Sequence, residues 1–172
     1  MLVAVEVPPP EPAAQEDHWL DADQQQAWRH LVALIMTLPA AIDSDLQRTA
    51  GLTMFEYTVL ANLSEADEAT LRMTELAYKA NSSLSRLSHV ISRLANRGWI
   101  LKRPCTNDGR VSEVVLTEAG LAKVVHAAPG HARLVRKLVI EPLTQPQLTA
   151  LGASAAIVVE RIAQRNNVPP LT

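Results

Sequence analysis

The sequence contains little of several residue types, and each shortage excludes a class of protein. The single cysteine, Cys105, leaves no internal disulfide, as suits a reducing compartment. Aromatic residues make up 3% of the 172 residues, and the abundant Leu, Ala and Val favour helices over a β-sandwich. No apolar run approaches the roughly 20 residues of a membrane span, and the N-terminus lacks the pattern of a secretory signal. We therefore expect a cytoplasmic, mainly helical protein.

Enzyme motifs are also lacking. The sequence has no glycine-rich phosphate loop, no paired metal-ligand spacing and no nucleophile motif. The five histidines are scattered, and the nearest pair, His126 and His131, does not align on one helix face. We therefore predict no enzymatic activity, no cofactor and no metal.

Charge is distributed unevenly, although the net charge is only −2. Residues 1–71 hold two basic and twelve acidic side chains, whereas residues 72–112 hold eight basic and two acidic ones. A basic middle between acidic and near-neutral flanks is typical of a nucleic-acid-binding element. The alternative is an ordinary fluctuation of surface charge.

Helical periodicity begins near Asp21. We expect Pro39 to kink or interrupt this first helix and Gly51 to end it. Later helices are predicted from N-capping residues. These are Thr53 for the second helix, Thr74 for the third, Ser82 or Ser83 for the fourth, Thr117 for the fifth and Thr144 for the last.

Two β-prone runs, residues 99–103 and 111–117, flank the polar segment Thr106–Arg110. The Asp-Gly pair in this segment supports a tight turn, so the runs predict a β-hairpin. The short third helix, a polar turn of about three residues and the fourth helix together match a helix-turn-helix.

The fourth helix has two different faces. At 100° per residue, one face carries an apolar stripe of Leu84, Leu87, Ile91 and Leu94. The opposite face contains no acid and consists of Ser82, Ser85, Arg86, His89, Arg93 and Asn96. Hydroxyl, imidazole, amide and guanidinium groups contact phosphates and base edges. The alternative is a basic face that only meets solvent.

Residues 71–120, taken in order, resemble the MarR-type transcriptional regulators, a winged-helix family. The resemblance rests on a Leu-Ala pair, a serine-rich helix start, Arg-Leu before Arg-Gly, a wing with Asp-x-Arg, and Leu-Thr before a helix that starts with Glu and Gly. In this chain these are Leu76-Ala77, Arg93-Leu94, Arg97-Gly98, Asp108 with Arg110, Leu116-Thr117, Glu118 and Gly120. Each match is weak alone, but the order and spacing together are specific.

The resemblance implies a mainly α fold with a small β-hairpin wing, in which a winged helix-turn-helix is flanked by dimerisation helices. Together with the Pro- and Glu-rich composition of the N-terminus, it divides the chain into a disordered tail (1–20), a dimerisation helix (21–52), a DNA-binding domain (53–117), C-terminal dimerisation helices (118–166) and a tail (167–172). It also implies a homodimer that binds a palindromic double-stranded DNA operator, as a repressor that responds to a small-molecule effector.

DNA contacts are predicted on the fourth helix. Ser85, Arg86 and His89 are expected to reach base edges or nearby phosphates, because the second helix of such a motif enters the major groove. Ser82 and Arg93, nearer the helix ends, are expected to hold the DNA backbone.

The hairpin is predicted to provide a second contact. Lys102 and Arg103 on its first strand are expected to reach phosphates, and Arg110 to enter the minor groove, whose negative potential attracts arginine. Asp108 would repel phosphate, so we assign it a structural role in the wing, and Gly109 allows the turn.

Several alternatives stay open. Cys105 would make the protein a thiol-based oxidant sensor if its thiolate were stabilised and accessible. Arg97 would either contact DNA or pair with an acid. For His89, the alternative to a DNA contact is a role as metal ligand. A winged-helix module that binds protein and not DNA is a further possibility, which the acid-free helix face disfavours. Effector-pocket candidates are Trp28, Tyr57 and His131, with core or interface packing as the competing role.

Overall fold

The computed structural model describes residues 19–104 and 112–165 of the chain. The predicted tails fall outside those ranges, apart from Trp19 and Leu20. The predictions on Cys105, Asp108, Gly109 and Arg110 fall outside them as well. The chain divides into two compact units, Met1–Thr37 and Leu38–Thr172.

Helices dominate the described chain. The first elements are α1 (Ala22–Ala50), α2 (Met54–Ser64), a 3₁₀ turn (Asp67–Ala69), β1 (Thr70–Arg72), α3 (Met73–Lys79) and α4 (Leu84–Asn96). The remaining elements are β2 (Ile100–Pro104), β3 (Ser112–Leu116), α5 (Glu118–Val135), a π-helical turn (Arg136–Ile140) and α6 (Gln145–Arg165). The order of α3, α4, β2 and β3 is that of a winged helix-turn-helix.

Helix α1 is continuous through Pro39, so of the two predicted effects of this proline, a kink or an interruption, the interruption is wrong. Proline removes one backbone donor, but Pro39 lies on an exposed part of the helix, where water can bind the freed carbonyl. The predicted end at Gly51 is confirmed. Gly51 has φ +62° and its N–H donates to the carbonyl of Gln47, while the N–H of Leu52 donates to that of Leu46.

Most of the predicted caps are present. Thr53 and Glu56 form a complete capping box at α2, Ser83 accepts from the N–H of Arg86, and Thr117 accepts from the N–H of Gly120. Thr74 is not a cap, because the N-cap of α3 is Arg72, two residues earlier, and it makes no side-chain cap hydrogen bond. The β1 pairing places Arg72 in the sheet and so fixes where α3 starts.

The three-stranded antiparallel sheet has the order β1-β3-β2. Ile100 pairs with Leu116 and Arg103 with Glu113, which confirms the predicted hairpin strands. At the base of the hairpin, the Thr117 hydroxyl donates to the Gly98 carbonyl over 2.7 Å.

The core lies in the second unit. Its fully buried members are Leu46, Leu52, Val59, Leu60, Leu63, Leu76, Leu87, Leu94, Ile100 and Val114. Leu84, predicted to be a core residue, is 50% exposed, and Val90 is buried on α4 in addition to the other three predicted positions. Leu84 is the first residue of α4 and extends past the core, which helical periodicity alone does not reveal.

Candidate nucleic-acid interface

A tight turn places α4 after α3. Asn81 adopts φ +46°, and the N–H of Ser82 donates to the Ala77 carbonyl over 2.9 Å. Ser83 then caps α4 by accepting from the N–H of Arg86 over 3.2 Å. Ser82 is half-buried and its hydroxyl bonds the Ser83 carbonyl, so it lies in the turn before the helix.

The exposed face of α4 carries no acidic side chain. Leu87, Val90, Ile91 and Leu94 are buried. The exposed residues that follow Leu84 are Ser85, Arg86, Ser88, His89, Ser92, Arg93 and Asn96. The structure therefore brings together four of the predicted DNA-contacting side chains on one surface, and it adds two further hydroxyls. An acid-free face of this kind offers donors to phosphate and base-edge acceptors.

Arg86 stacks on an aromatic ring. Its guanidinium carbon lies 4.5 Å from the centre of the Phe55 ring, at the start of α2. Such cation–π contacts orient the guanidinium plane while leaving its donors free. His89 and Arg93 line the same cleft as Arg86, together with Phe55 and Asp43.

Arg93 and Arg97 share a buried carboxylate. Glu56 is only 3% exposed, and its carboxylate lies 3.4 Å from Nε of Arg93 and 3.9 Å from Nη1 of Arg97. Arg97 also donates to the Gly51 carbonyl over 3.3 Å. Of the two alternatives for Arg97, pairing with an acid is the arrangement observed. Arg93 remains 56% exposed, so it is paired and still accessible from outside.

The β2 strand presents Lys102 and Arg103 to solvent. Arg103 pairs across the hairpin with Glu113, with 3.1 Å between Nε and Oε2, and half of its side chain stays exposed. Glu113 therefore fixes the direction of the Arg103 side chain along the wing. Arg110, Asp108 and Gly109, assigned to the wing tip, belong to the segment outside the described ranges.

Two of the pocket candidates meet. The rings of Tyr57 and His131 lie 4.7 Å apart and tilted by 47°. Burial raises the pKa of Tyr57, and nearby Glu65 adds to the rise. Burial lowers the pKa of His131, with Asp45 opposing the shift. Within the described residues, Nδ1 of His131 is buried without a hydrogen-bond partner.

The third pocket candidate, Trp28, belongs to the first unit. There it is 56% exposed and lines an apolar cleft of about 270 Å³ with Trp19 and Leu20. Across residues 19–104 and 112–165 no group of three or more possible metal ligands occurs. No helix in those ranges is long and apolar enough to cross a membrane.

Sequence reasoning missed two site residues on α2. Neither Phe55 nor Glu56 was singled out as a site residue, and only the cap Thr53 was predicted at the start of α2. A partial signal existed, because Arg93 and Arg97 are four residues apart and like charges at that spacing favour a nearby acid, but it does not identify Glu56. No local signal points from Phe55 to Arg86, since the two meet only when α2 packs beside α4.

Comparison with known proteins gives consistent matches. The family model described as MarR family matches residues 52–112. The repressor YetL of Bacillus subtilis, an HTH-type transcriptional repressor, is 31% identical over 81 residues, 47% of this chain. The match spans about half of that relative, 48% of its length.

Two solved structures from Streptomyces coelicolor are similar over most of the chain. Sco3205, a MarR family transcriptional regulator solved in complex with DNA, is 38% identical with a TM-score of 0.81. The match covers 83% of this chain and 90% of Sco3205. AbsC, another MarR family transcriptional regulator, is 36% identical with a TM-score of 0.82, over 86% of this chain and 99% of AbsC. The predicted winged-helix fold is confirmed by these matches.

Proposed function

The chain belongs to the MarR family of transcriptional regulators, and we propose that it binds double-stranded DNA in a sequence-specific manner through α4 and the wing. The acid-free exposed face of α4 is the observation that carries this proposal. Sco3205, the relative that is 38% identical, was solved in complex with DNA. The protein is proposed to act in the cytoplasm and without enzymatic activity.

Base reading is assigned to Ser85, Arg86 and His89, which lie in the N-terminal half of α4. This half of a recognition helix enters the major groove, and arginine pairs with the two acceptors of guanine. Ser82 and Arg93 are proposed to contact the DNA backbone, where Arg93 exchanges its Glu56 partner for a phosphate.

Phosphate contacts from the wing are assigned to Lys102 and Arg103, both exposed on β2. Arg110 is proposed to enter the minor groove, with Asp108 and Gly109 shaping the tip. Each phosphate that a basic side chain neutralises releases counterions, so affinity should fall steeply with salt.

A homodimer is proposed on the basis of exposed apolar side chains in the C-terminal helices. These are Leu121, Val125, Leu138, Ile140, Leu151, Ile157, Val158 and Ile162. A partner subunit that packs on these helices would remove their apolar side chains from water. Two recognition helices about 34 Å apart would then read a palindromic operator.

Repression relieved by a small-molecule effector is the proposed regulation. The Tyr57–His131 pair supports it, because an aromatic pair with an unsatisfied ring nitrogen offers both an apolar wall and a polar group. Trp28, in the first unit, is retained as the third candidate.

A binding assay with the DNA upstream of the protein's own coding region tests the function. Fluorescence anisotropy at low salt should show a specific complex that survives excess scrambled duplex. Sequence-specific recognition would be rejected if no complex forms, or if a stoichiometric amount of scrambled duplex is enough to abolish the complex. Retention of DNA binding after oxidation of Cys105 would reject the alternative of a thiol sensor.

A further inference from the structure

Two consecutive residues at the start of α2 contact two arginines of α4. The Phe55 ring lies under the guanidinium of Arg86 at 4.5 Å, and the Glu56 carboxylate lies 3.4 Å from Nε of Arg93. The two arginines are about two helical turns apart, and both are exposed on the face assigned to DNA. One short segment of α2 therefore controls the direction of both side chains.

Glu56 is held in place from several sides. Its Oε2 accepts from the N–H of Thr53 over 2.9 Å, and its own N–H donates to the Thr53 hydroxyl over 3.1 Å. The carboxylate is buried and also faces Arg97. Because it cannot follow Arg93 outward, a DNA phosphate must compete with a fixed negative charge for that guanidinium.

Phe55 acts differently because it carries no charge. Its ring is partly buried against the core, so it presents a fixed surface to Arg86. An arginine held in one direction loses less side-chain entropy when it binds a base than a freely rotating one does. The ring therefore orients Arg86 and leaves the charge of the surface unchanged.

We propose that Phe55 and Glu56 are positioning residues that set the specificity of DNA recognition. Phe55 orients Arg86 for base reading. Glu56 restrains Arg93 and weakens its attraction for phosphate, so that sequence-independent binding stays low relative to operator binding. The inference rests on the proposed DNA-binding function and adds to it the source of discrimination.

The test uses substitutions that keep local structure. Glu56→Gln removes the charge but retains the capping box, in which glutamine serves as well as glutamate. Its matched control is Glu141→Gln, which makes the same charge change at an exposed residue that has no ion pair within the described residues. Phe55→Leu removes the ring and keeps an apolar side chain, and Phe55→Tyr restores the ring.

The measurement is the dissociation constant for two duplexes over a series of KCl concentrations. One is the operator duplex that the wild-type protein selects from a random pool, and the other is its scrambled version. Glu56→Gln should bind the scrambled duplex about 3- to 10-fold more tightly and steepen the salt slope by about 0.9 per protomer, because Arg93 gains a phosphate. Operator affinity should rise less, so the specificity ratio falls. Glu141→Gln should leave ratio and slope unchanged.

Phe55→Leu should weaken operator binding about two- to fivefold per protomer, the size of an exposed cation–π contact, at an unchanged salt slope. Phe55→Tyr should restore the wild-type ratio. Adding Arg93→Gln to Glu56→Gln should abolish the gain in scrambled-duplex binding, since that gain depends on the freed arginine. A merely structural role would instead lower both affinities in parallel with the unfolding temperature.

Different outcomes distinguish a failure of the proposed DNA recognition from a failure of the positioning roles of Phe55 and Glu56. A wild-type protein that does not discriminate operator from scrambled duplex overturns the proposed function and this inference with it. If the wild-type protein discriminates between the duplexes, but its specificity ratio and salt slope are unchanged by Glu56→Gln and Phe55→Leu, only this inference is overturned. If Glu56→Gln does not fold, the Arg93 Nε–H signal of the wild-type protein decides by nuclear magnetic resonance. Protection from solvent exchange that persists when scrambled duplex is added supports the restraint. Fast exchange in the free protein, or protection that scrambled duplex removes, overturns it.

Discussion

Replacing Gly120 with alanine tests the junction between the wing and α5. Gly120 is the third residue of α5 and is buried. A Cβ there would lie 2.0 Å from the Trp99 carbonyl oxygen and 2.7 Å from Cδ1 of Leu116. That carbonyl accepts from the N–H of Thr117 over 3.0 Å, so it cannot turn away without breaking the bond that closes the hairpin base.

The expected cost follows from these contacts. Overpacking a core position costs about 1–3 kcal/mol, and an overlap with backbone belongs at the upper end of that range. Weakening the Thr117–Trp99 hydrogen bond adds about 1 kcal/mol. Alanine recovers about 0.5–1 kcal/mol of helix propensity. The net destabilisation of Gly120→Ala is therefore about 2–3 kcal/mol, or about 4–12 °C in unfolding temperature for a chain of this size.

Urea unfolding followed by circular dichroism, at fixed protein concentration, measures the effect. The matched control is Gly130→Ala in the same helix, where the added Cβ meets only Nη2 of Arg133 at 3.9 Å. The control should be as stable as the wild type or gain up to about 1 kcal/mol. Should Gly120→Ala unfold at the wild-type urea concentration or higher, the close approach of Trp99 to α5 would be refuted.

Three further predictions concern the interface and the aromatic pair. Arg86→Ala should relax discrimination at one base pair by about 1–3 kcal/mol, measured by competition with singly substituted duplexes. Arg133→Ala, which removes the same charge from an exposed position on α5, should not. Equal discrimination in the two variants would contradict base reading by Arg86. Arg103→Ala should reduce the salt slope of binding by about 0.9 per protomer, and an unchanged slope would remove Arg103 from the phosphate contacts. Burial lowers the pKa of His131 despite the opposing effect of Asp45. Neutral His131 therefore contributes fully to the folding stability above the unfolded pKa of about 6.5, and this contribution is lost as pH falls through the folded pKa. His131→Phe should therefore lose less unfolding temperature than the wild type between pH 7.5 and pH 5, and parallel losses would argue against titration of His131.

The element order and the two faces of α4 were predictable because their causes are local. Apolar spacing decides which side of a helix is buried, as at Leu87, Ile91 and Leu94. A capping residue needs only its own next turn, which is why Thr53 and Thr117 were identified. Local reasoning was wrong where long-range structure intervened. Leu84 has the right spacing but lies beyond the core, and the β1 strand sets the start of α3 ahead of Thr74.

The sequence by itself determined that an acid-free, basic helix follows a tight turn and precedes a hairpin. Only the tertiary structure decided which of its arginines are held. Glu56 reaches Arg93 and Arg97, and Phe55 reaches Arg86, across a long stretch of chain. Those partners meet because the core brings α2 beside α4. Neither the helical periodicity nor the charge distribution of the sequence predicts that the two helices lie close together. The charges that we assign to DNA contacts are thus set by the sequence, whereas the directions of their side chains are set by packing.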